Sequence, residues 1–269
     1  MRKPILGLLA AVLFVATPAI ALADAAGSAQ GVKPAAEADR TGAIQTLVVG
    51  SDIFIGDLVK TGDKGQVQIL FADTTKLVVG PRSSLKIEDY LLRNDGSAGK
   101  LAVDMLGGSF RFATGDAAKD RYKIDTPVGT IGVRGTHFDV FVDTDGVTRI
   151  LHYQGVVRFC TKTNKCQELS KLCTLGQINS DATVIGDSRE VRGPARDEIK
   201  AEFIYSNNEA PLLRQFRFAN AYGCTHTPPT VQVIDNGTPN HGDTTSPTTT
   251  TPPPGGFGFR PPSRGPGLR

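Results

Sequence analysis

Between Ala43 and about Ile185 the chain is written in short alternating runs, each closed by glycine or aspartate. Val67, Ile69 and Phe71 share one face of such a run; Leu77 and Val79 share one face of the next, and Leu85 and Ile87 of another. Leu101, Val103 and Met105 alternate, then Gly107-Gly108 leads into Phe110 and Phe112. Phe138, Val140 and Val142 alternate up to the hairpin signal Asp145-Gly146, and the chain returns through Ile150 and His152. A period of two is that of a strand with one buried face. Turn signals at roughly every 8 to 12 residues exclude long helices and predict an all-β domain, as a sandwich or as a short-stranded rolled or solenoid-like sheet.

The periodicity changes near Pro194. Ala195–Tyr205 reads as a helix with Ile199, Phe203 and Ile204 on one face, and Glu209–Tyr222 as a second, stopped by Gly223. A small C-terminal helical pair over 194–224 is therefore expected to pack on an open face or edge of the sheet.

The two ends read differently. Met1–Lys3 is basic, Ile5–Ile20 is apolar, and Ala21-Leu22-Ala23 is a small-x-small cleavage pattern. These are the three regions of a signal peptide, assigned to 1–23, with a flexible Ala/Gly/Gln-rich lead-in over 24–42 and a β domain over 43–186. Once the leader is cleaved no transmembrane anchor is expected. From 225 to 269 the chain is Thr, Pro, Gly and Asn, including the run TTSPTTTTPPP, and is expected to be a disordered tail, because it has too little apolar surface to offset its ordering entropy. Setting aside Arg2, Lys3, Arg260, Arg264, Arg269, Asp235 and Asp243 brings the 30 basic and 27 acidic residues into balance. A neutral domain gives no electrostatic reason to bind nucleic acid.

Four cysteines remain: Cys160, Cys166, Cys173 and Cys224. An even number in an exported chain predicts two disulfides, with three connectivities open. The pairing expected is Cys160–Cys166 across a polar loop, with Cys173–Cys224 tying the β domain to the second helix. Zinc spacing is absent.

The segment Asp125–Val140 reads DTPVGTIGVRGTHFDV. Gly129, Gly132 and Gly135 suit positive φ or close backbone approach. Their spacing is not that of a dinucleotide loop, and no helix follows. Thr126, Pro127, Gly129, Gly132, Arg134, Gly135, Thr136 and Phe138 together resemble the most distinctive motif of the FecR family, T-P followed by G-V-R-G-T-x-F. Gly56-Asp57 with Thr61-Gly62 is similar to that family's first turn. Phe71-Ala72-Asp73-Thr74-Thr75 with Leu77 is similar to its F-x-D-G strand, with Thr74 in place of glycine. Gly107 with Phe110, and Gly155-Val156-Val157, continue the likeness, which covers roughly Ala43 to Gln177. The resemblance implies an elongated, solenoid-like β fold and a periplasmic sensory or anti-sigma role. The family's cytoplasmic anti-sigma segment and membrane helix are not read in this sequence.

Within the motif Arg134 reads either as a tie to nearby carbonyls or as a presented contact. His137 and His152 read as packed strand residues. Ser83-x-x-Lys86 spells a Ser-Lys dyad, but a strand places positions three apart on opposite faces. Asp143-Thr144-Asp145-Gly146 lacks the later ligands of a calcium loop and reads as a hairpin turn. No catalytic residue, cofactor or metal site is expected. The functional expectation is a non-enzymatic, periplasmic or secreted module that binds another envelope protein, in signalling or envelope assembly. The alternative is a wall- or glycan-associated structural protein with a Pro/Thr-rich spacer; the absence of Trp and the presence of only five Tyr leave it a meagre stacking platform.

Overall fold

A computed structural model describes residues 25–92, 98–115 and 121–226. Its strands are β1 (Gly27–Lys33), β2 (Ala36–Arg40), β3 (Ala43–Thr46), β4 (Asp52–Ile53), β5 (Leu58–Thr61), β6 (Gln66–Phe71), β7 (Lys76–Val79) and β8 (Ser84–Leu92). They continue as β9 (Ala98–Ala113), β10 (Tyr122–Thr126), β11 (Gly129–Val142), β12 (Thr148–Thr161), β13 (Cys166–Leu169), β14 (Thr174–Ile178) and β15 (Ala182–Asp187). All belong to one hydrogen-bonded sheet that does not close.

Three long strands, β9, β11 and β12, make the sheet fold over on itself. The first half of β9 pairs with β8 and β10, while its second half pairs with β7 and β11. The first half of β11 pairs with β10 and its second half with β9. Each long strand thus passes through a corner and serves two layers. One layer runs β3-β2-β5-β8-β9-β10-β11-β12-β13, and the other β4-β1-β6-β7-β9-β11-β12-β14-β15. The corners fall at Gly107-Gly108, at Gly135 and at Gly155. Gly108, Gly135 and Gly155 have φ of +100°, +61° and +81°, and the β11–β12 register shifts between Arg134 and His137. Bulges of this kind are how strands turn from one packed layer into another.

The alternating residues read from the sequence face inward. Val59, Leu85, Ile87, Val103, Met105, Ile131, Val133, Val157 and Phe159 come from the first layer. Val67, Ile69, Phe71, Leu77, Val79, Phe110, Phe112, Phe138, Val140 and Ile150 come from the second. They form one core cluster, and buried side chains of this size are each worth about 1.5–3 kcal/mol of transfer energy. The mostly-β, rolled architecture expected from the periodicity is the observed one.

Two local expectations are corrected. Residues 24–42 are not a flexible lead-in: β1 and β2 occupy most of the segment, and β1 pairs with β6 along its length. Its small residues are there for close packing. Ala26, Ala29, Ala36 and Ala38 are buried, and a Cβ on Gly27 would lie 2.6 Å from the Leu70 carbonyl oxygen. Nor is 209–222 one continuous helix. The helix α1 (Pro194–Glu202) forms as expected, started by Gly193 and Pro194, and runs into α2 (Ile204–Asn207). Beyond it the chain is irregular, with a 3-10 turn at Arg214–Phe216, and Gly223 lies inside the short α3 (Tyr222–Thr225) rather than ending a helix. Pro211 supplies no N–H, and the Leu213 N–H donates to the Gln68 side chain at 2.8 Å instead of to a helical carbonyl.

This C-terminal segment lies on the outer face of the second layer. Leu151, Tyr153 and Leu175 pack against Ile199, Phe203, Phe218 and Ala221, while Val78 packs against Tyr205, Leu212 and Phe216. Disulfides join Cys160 to Cys166 and Cys173 to Cys224, the pairing expected. The proposed signal peptide and the tail beyond His226 lie outside the described residues.

Candidate functional surface

The β10–β11 turn opens the glycine-rich motif. Thr126 closes it, its Oγ1 accepting from the Gly129 N–H and donating to the Gly129 carbonyl, both at 3.2 Å. Pro127, with its fixed φ, sits exposed at the turn. Gly129 is a close-approach position: a Cβ there would lie 2.2 Å from the Cys160 carbonyl oxygen on β12. Gly135 is the positive-φ position at the corner. Thr136 is buried behind it, with its N–H donating to Thr114 Oγ1 at 2.9 Å and its own Oγ1 unpaired. Phe138 enters the core 5.5 Å from the Phe112 ring.

Gly132 differs from its neighbours in the motif. It has no positive φ, and its hypothetical Cβ meets nothing nearer than the Arg158 carbonyl oxygen at 3.9 Å. It is an exposed strand position whose outward side is empty. Arg134 is exposed on the same face, and among the described residues its side chain makes no hydrogen bond or ion pair. It ties down no carbonyl.

The acidic residues of the other family-like motifs are backbone devices. The buried Asp57 accepts from Arg40 at 2.6 and 2.9 Å and from the Phe54 N–H at 2.9 Å. Asp73 accepts from Thr75 at 2.7 Å and from the Tyr122 hydroxyl at 2.8 Å. Burial, aided by the Asp73 charge, pushes the nearby Tyr90 hydroxyl up to about 12. Thr74 takes φ +67°, so the turn keeps the left-handed geometry that glycine would adopt without strain.

A buried ionic cluster escaped the reading of the sequence. Arg111, almost fully enclosed, donates to both carboxylate oxygens of Asp139 at 2.7 and 2.9 Å and also contacts Glu209. The Tyr153 hydroxyl donates to Asp139 at 2.7 Å, and the Phe218 ring lies 4.4 Å from the guanidinium carbon. Burial disfavours the charged guanidinium, but the adjacent Asp139 carboxylate outweighs it and holds Arg111 above its ordinary range. Arg111 and Asp139 alternate with core phenylalanines and valines, so period two marks them as solvent-facing. Only the apolar Phe203, Phe216 and Phe218 downstream signalled that a segment would cover them.

The remaining candidates are structural. Both ring nitrogens of His152 face backbone carbonyls, Lys171 O at 2.8 Å and Gly155 O at 3.0 Å, and His137 stacks on Phe218 at 4.5 Å. Asp143 Oδ1 accepts from the Asp145 and Val147 N–H groups, which makes 143–146 a hairpin turn. Ser83 donates to the carbonyls of Pro81 and Ser109. A groove of about 650 Å³ runs between Pro81, Leu106, Phe141 and Ile204; its ionisable groups are Asp63, Arg82 and Asp143. Among the described residues no group of His, Cys, Asp and Glu could hold a metal ion.

The two outer faces are therefore unlike. The C-terminal segment covers that of the second layer. That of the first layer, carrying Lys123, Gly132, Arg134 and Arg158, is open to solvent.

The model of the family described as FecR protein matches residues 57–158. No curated protein matches the chain significantly. Two crystal structures of a proposed anti-sigma factor from Parabacteroides distasonis ATCC 8503, at 1.65 and 2.50 Å resolution, are similar at 13% identity with a TM-score of 0.40. The likeness covers 48% of this chain and 59% of each of theirs. All three corners, the motif turn and the exposed Lys123, Gly132, Arg134 and Arg158 fall within residues 57–158, the stretch that is similar to the FecR family.

Proposed function

We propose that this chain is an exported, non-enzymatic protein-interaction module of the bacterial cell envelope, acting in signalling or envelope assembly. The observation that carries this reading is the asymmetry of the two layers. One outer face is sealed by a disulfide-tied segment, while the other, which bears the family motif, presents unpaired charged side chains. Export is supported by the leader-like residues 1–23 and by two disulfides, which persist in oxidising compartments. None of the described helices is long and apolar enough to cross a membrane.

The test is cross-linking and affinity capture from an envelope extract with the full chain carrying a C-terminal tag, read by mass spectrometry. The expected result is one envelope protein captured reproducibly, on a bait whose N-terminus is Asp24. Capture of wall glycan without protein, or a bait retained in the cytoplasm, would overturn the proposal.

A further inference from the structure

On β11, Ile131 and Val133 enter the core while Thr130, Gly132 and Arg134 face out. On β12, Val157 and Phe159 enter the core while Val156 and Arg158 face out. The ladder sets Gly132 opposite Arg158 and Arg134 opposite Val156. Two guanidiniums therefore flank one residue that has no side chain. Directly opposed and same-face positions are roughly 5 Å and 7 Å apart, so both side chains can reach a single group above Gly132.

Neither arginine is engaged in holding the fold. Among the described residues the Arg134 and Arg158 side chains form no hydrogen bond or ion pair. The basic side chains nearby are engaged differently: Lys123, opposite Gly132 on β10, is paired with Asp125 at 2.6 Å, and Lys100 with Asp89 at 2.7 Å. Glu168 lies opposite Arg158 on β13 but forms no ion pair with it, so the two guanidiniums are the unpaired positive groups nearest the empty position. The Cys160–Cys166 bridge fixes the strand that carries Arg158 to its edge neighbour, which pre-organises the site.

We infer that Gly132, Arg134 and Arg158 form a docking site for an acidic, extended segment of a partner protein, with one carboxylate seated over Gly132 and held by both guanidiniums. Charge complementarity selects the carboxylate, since Arg presents a planar fork of donors to its two oxygens. The flat sheet face selects an extended segment, and the missing Cβ supplies the seat. This rests on the protein-interaction reading above and names the chemistry of its partner.

The experiment uses the full exported chain and a fluorescein-labelled alternating Glu-Thr octapeptide read by anisotropy, with the Gln-Thr octapeptide as control. Wild type is expected to bind the Glu peptide more tightly. The Arg134→Gln/Arg158→Gln double variant should weaken it by about tenfold, and Lys64→Gln should not. Gly132→Val changes no charge and has room to fold, so it should melt like wild type yet weaken binding to a similar extent. Equal affinity for the two peptides, or an unaffected double variant, would overturn the inference. So would an unaffected Gly132→Val, which would mean charge attraction without a seat. Binding to anionic phosphatidylglycerol vesicles in place of the peptide would also overturn it. If envelope capture succeeds equally with the double variant, this site falls while the interaction module stands. If wild type captures no protein at all, the module reading itself falls.

Discussion

A Cβ on Gly155 would lie 2.1 Å from the Gly135 carbonyl oxygen, in a residue whose φ is +81°. Gly155→Val is therefore expected to cost a few kcal/mol through strain and overpacking, whereas Gly132→Val should leave the thermal melt nearly unchanged. Equal melts for the two would refute the division of the motif glycines into corner and seat. A second residue-scale prediction concerns pH. Asp104, half-buried on the outer face of the first layer, is pushed from 3.8 up to about 6, first by burial, then by a hydrogen bond shared with Glu88 and the charges of Glu88 and Asp125, with Lys86 opposing. Glu88 is itself held below its ordinary value, chiefly by its hydrogen bond to Lys86. A carboxyl raised in the folded state contributes stability below its unfolded value, and loses it as pH rises through the folded one. Wild type should thus lose this contribution between 3.8 and about 6, while Asp104→Asn should not. Melts across that range, with the variant gaining on wild type as pH rises, are the expected result. A constant difference would show that Asp104 does not titrate there.

At the scale of elements, the alternation of Val67-Ile69-Phe71 and of Phe138-Val140-Val142 was legible because period two reports a buried face directly. What it could not report was that β9, β11 and β12 each serve two layers, since a corner changes partners without changing the inward side. Nor could the small residues of 24–42 be told from linker: alanine and glycine serve flexibility and close approach alike. The second predicted helix failed because side chains, Gln68 accepting from the Leu213 N–H and Glu209 from the Phe218 N–H, replaced helical hydrogen bonds. Within the candidate surface, the glycines and Arg134 were visible as a motif. Arg158 was not, because pairing across strands is absent from linear order. The extension's attachment yields a third prediction. The Cys173–Cys224 bridge spans a separation of 51 residues and Cys160–Cys166 one of 6. Loop-closure entropy then assigns them about 4 and about 2 kcal/mol. Urea titration of the two paired Cys→Ser variants should rank them in that order, and the reverse order would mean that local clamping outweighs chain entropy.

Across the whole molecule, the described domain ends at a buried Thr225 beside Cys224, whose carbonyl accepts from Ser188 Oγ at 2.8 Å. A chain ending at His226 should therefore keep its melting temperature, and a drop of several degrees would place Phe257 or Phe259 against the domain. Chain order makes this architecture awkward to complete. In an oxidising compartment Cys160 and Cys166, with a sequence separation of 6, are expected to pair before Cys173 and Cys224, with one of 51. Until then Leu151, Tyr153 and Leu175 lie bare, and Arg111 has Asp139 but not Glu209. Until the long bridge closes, both outer faces are expected to be open, and the one destined to be sealed is the stickier. Acid-quenched alkylation during oxidative refolding should find the short bridge closed first. The lifetime of the half-dressed species, rather than its final stability, would then set how much the chain depends on an escort during its maturation.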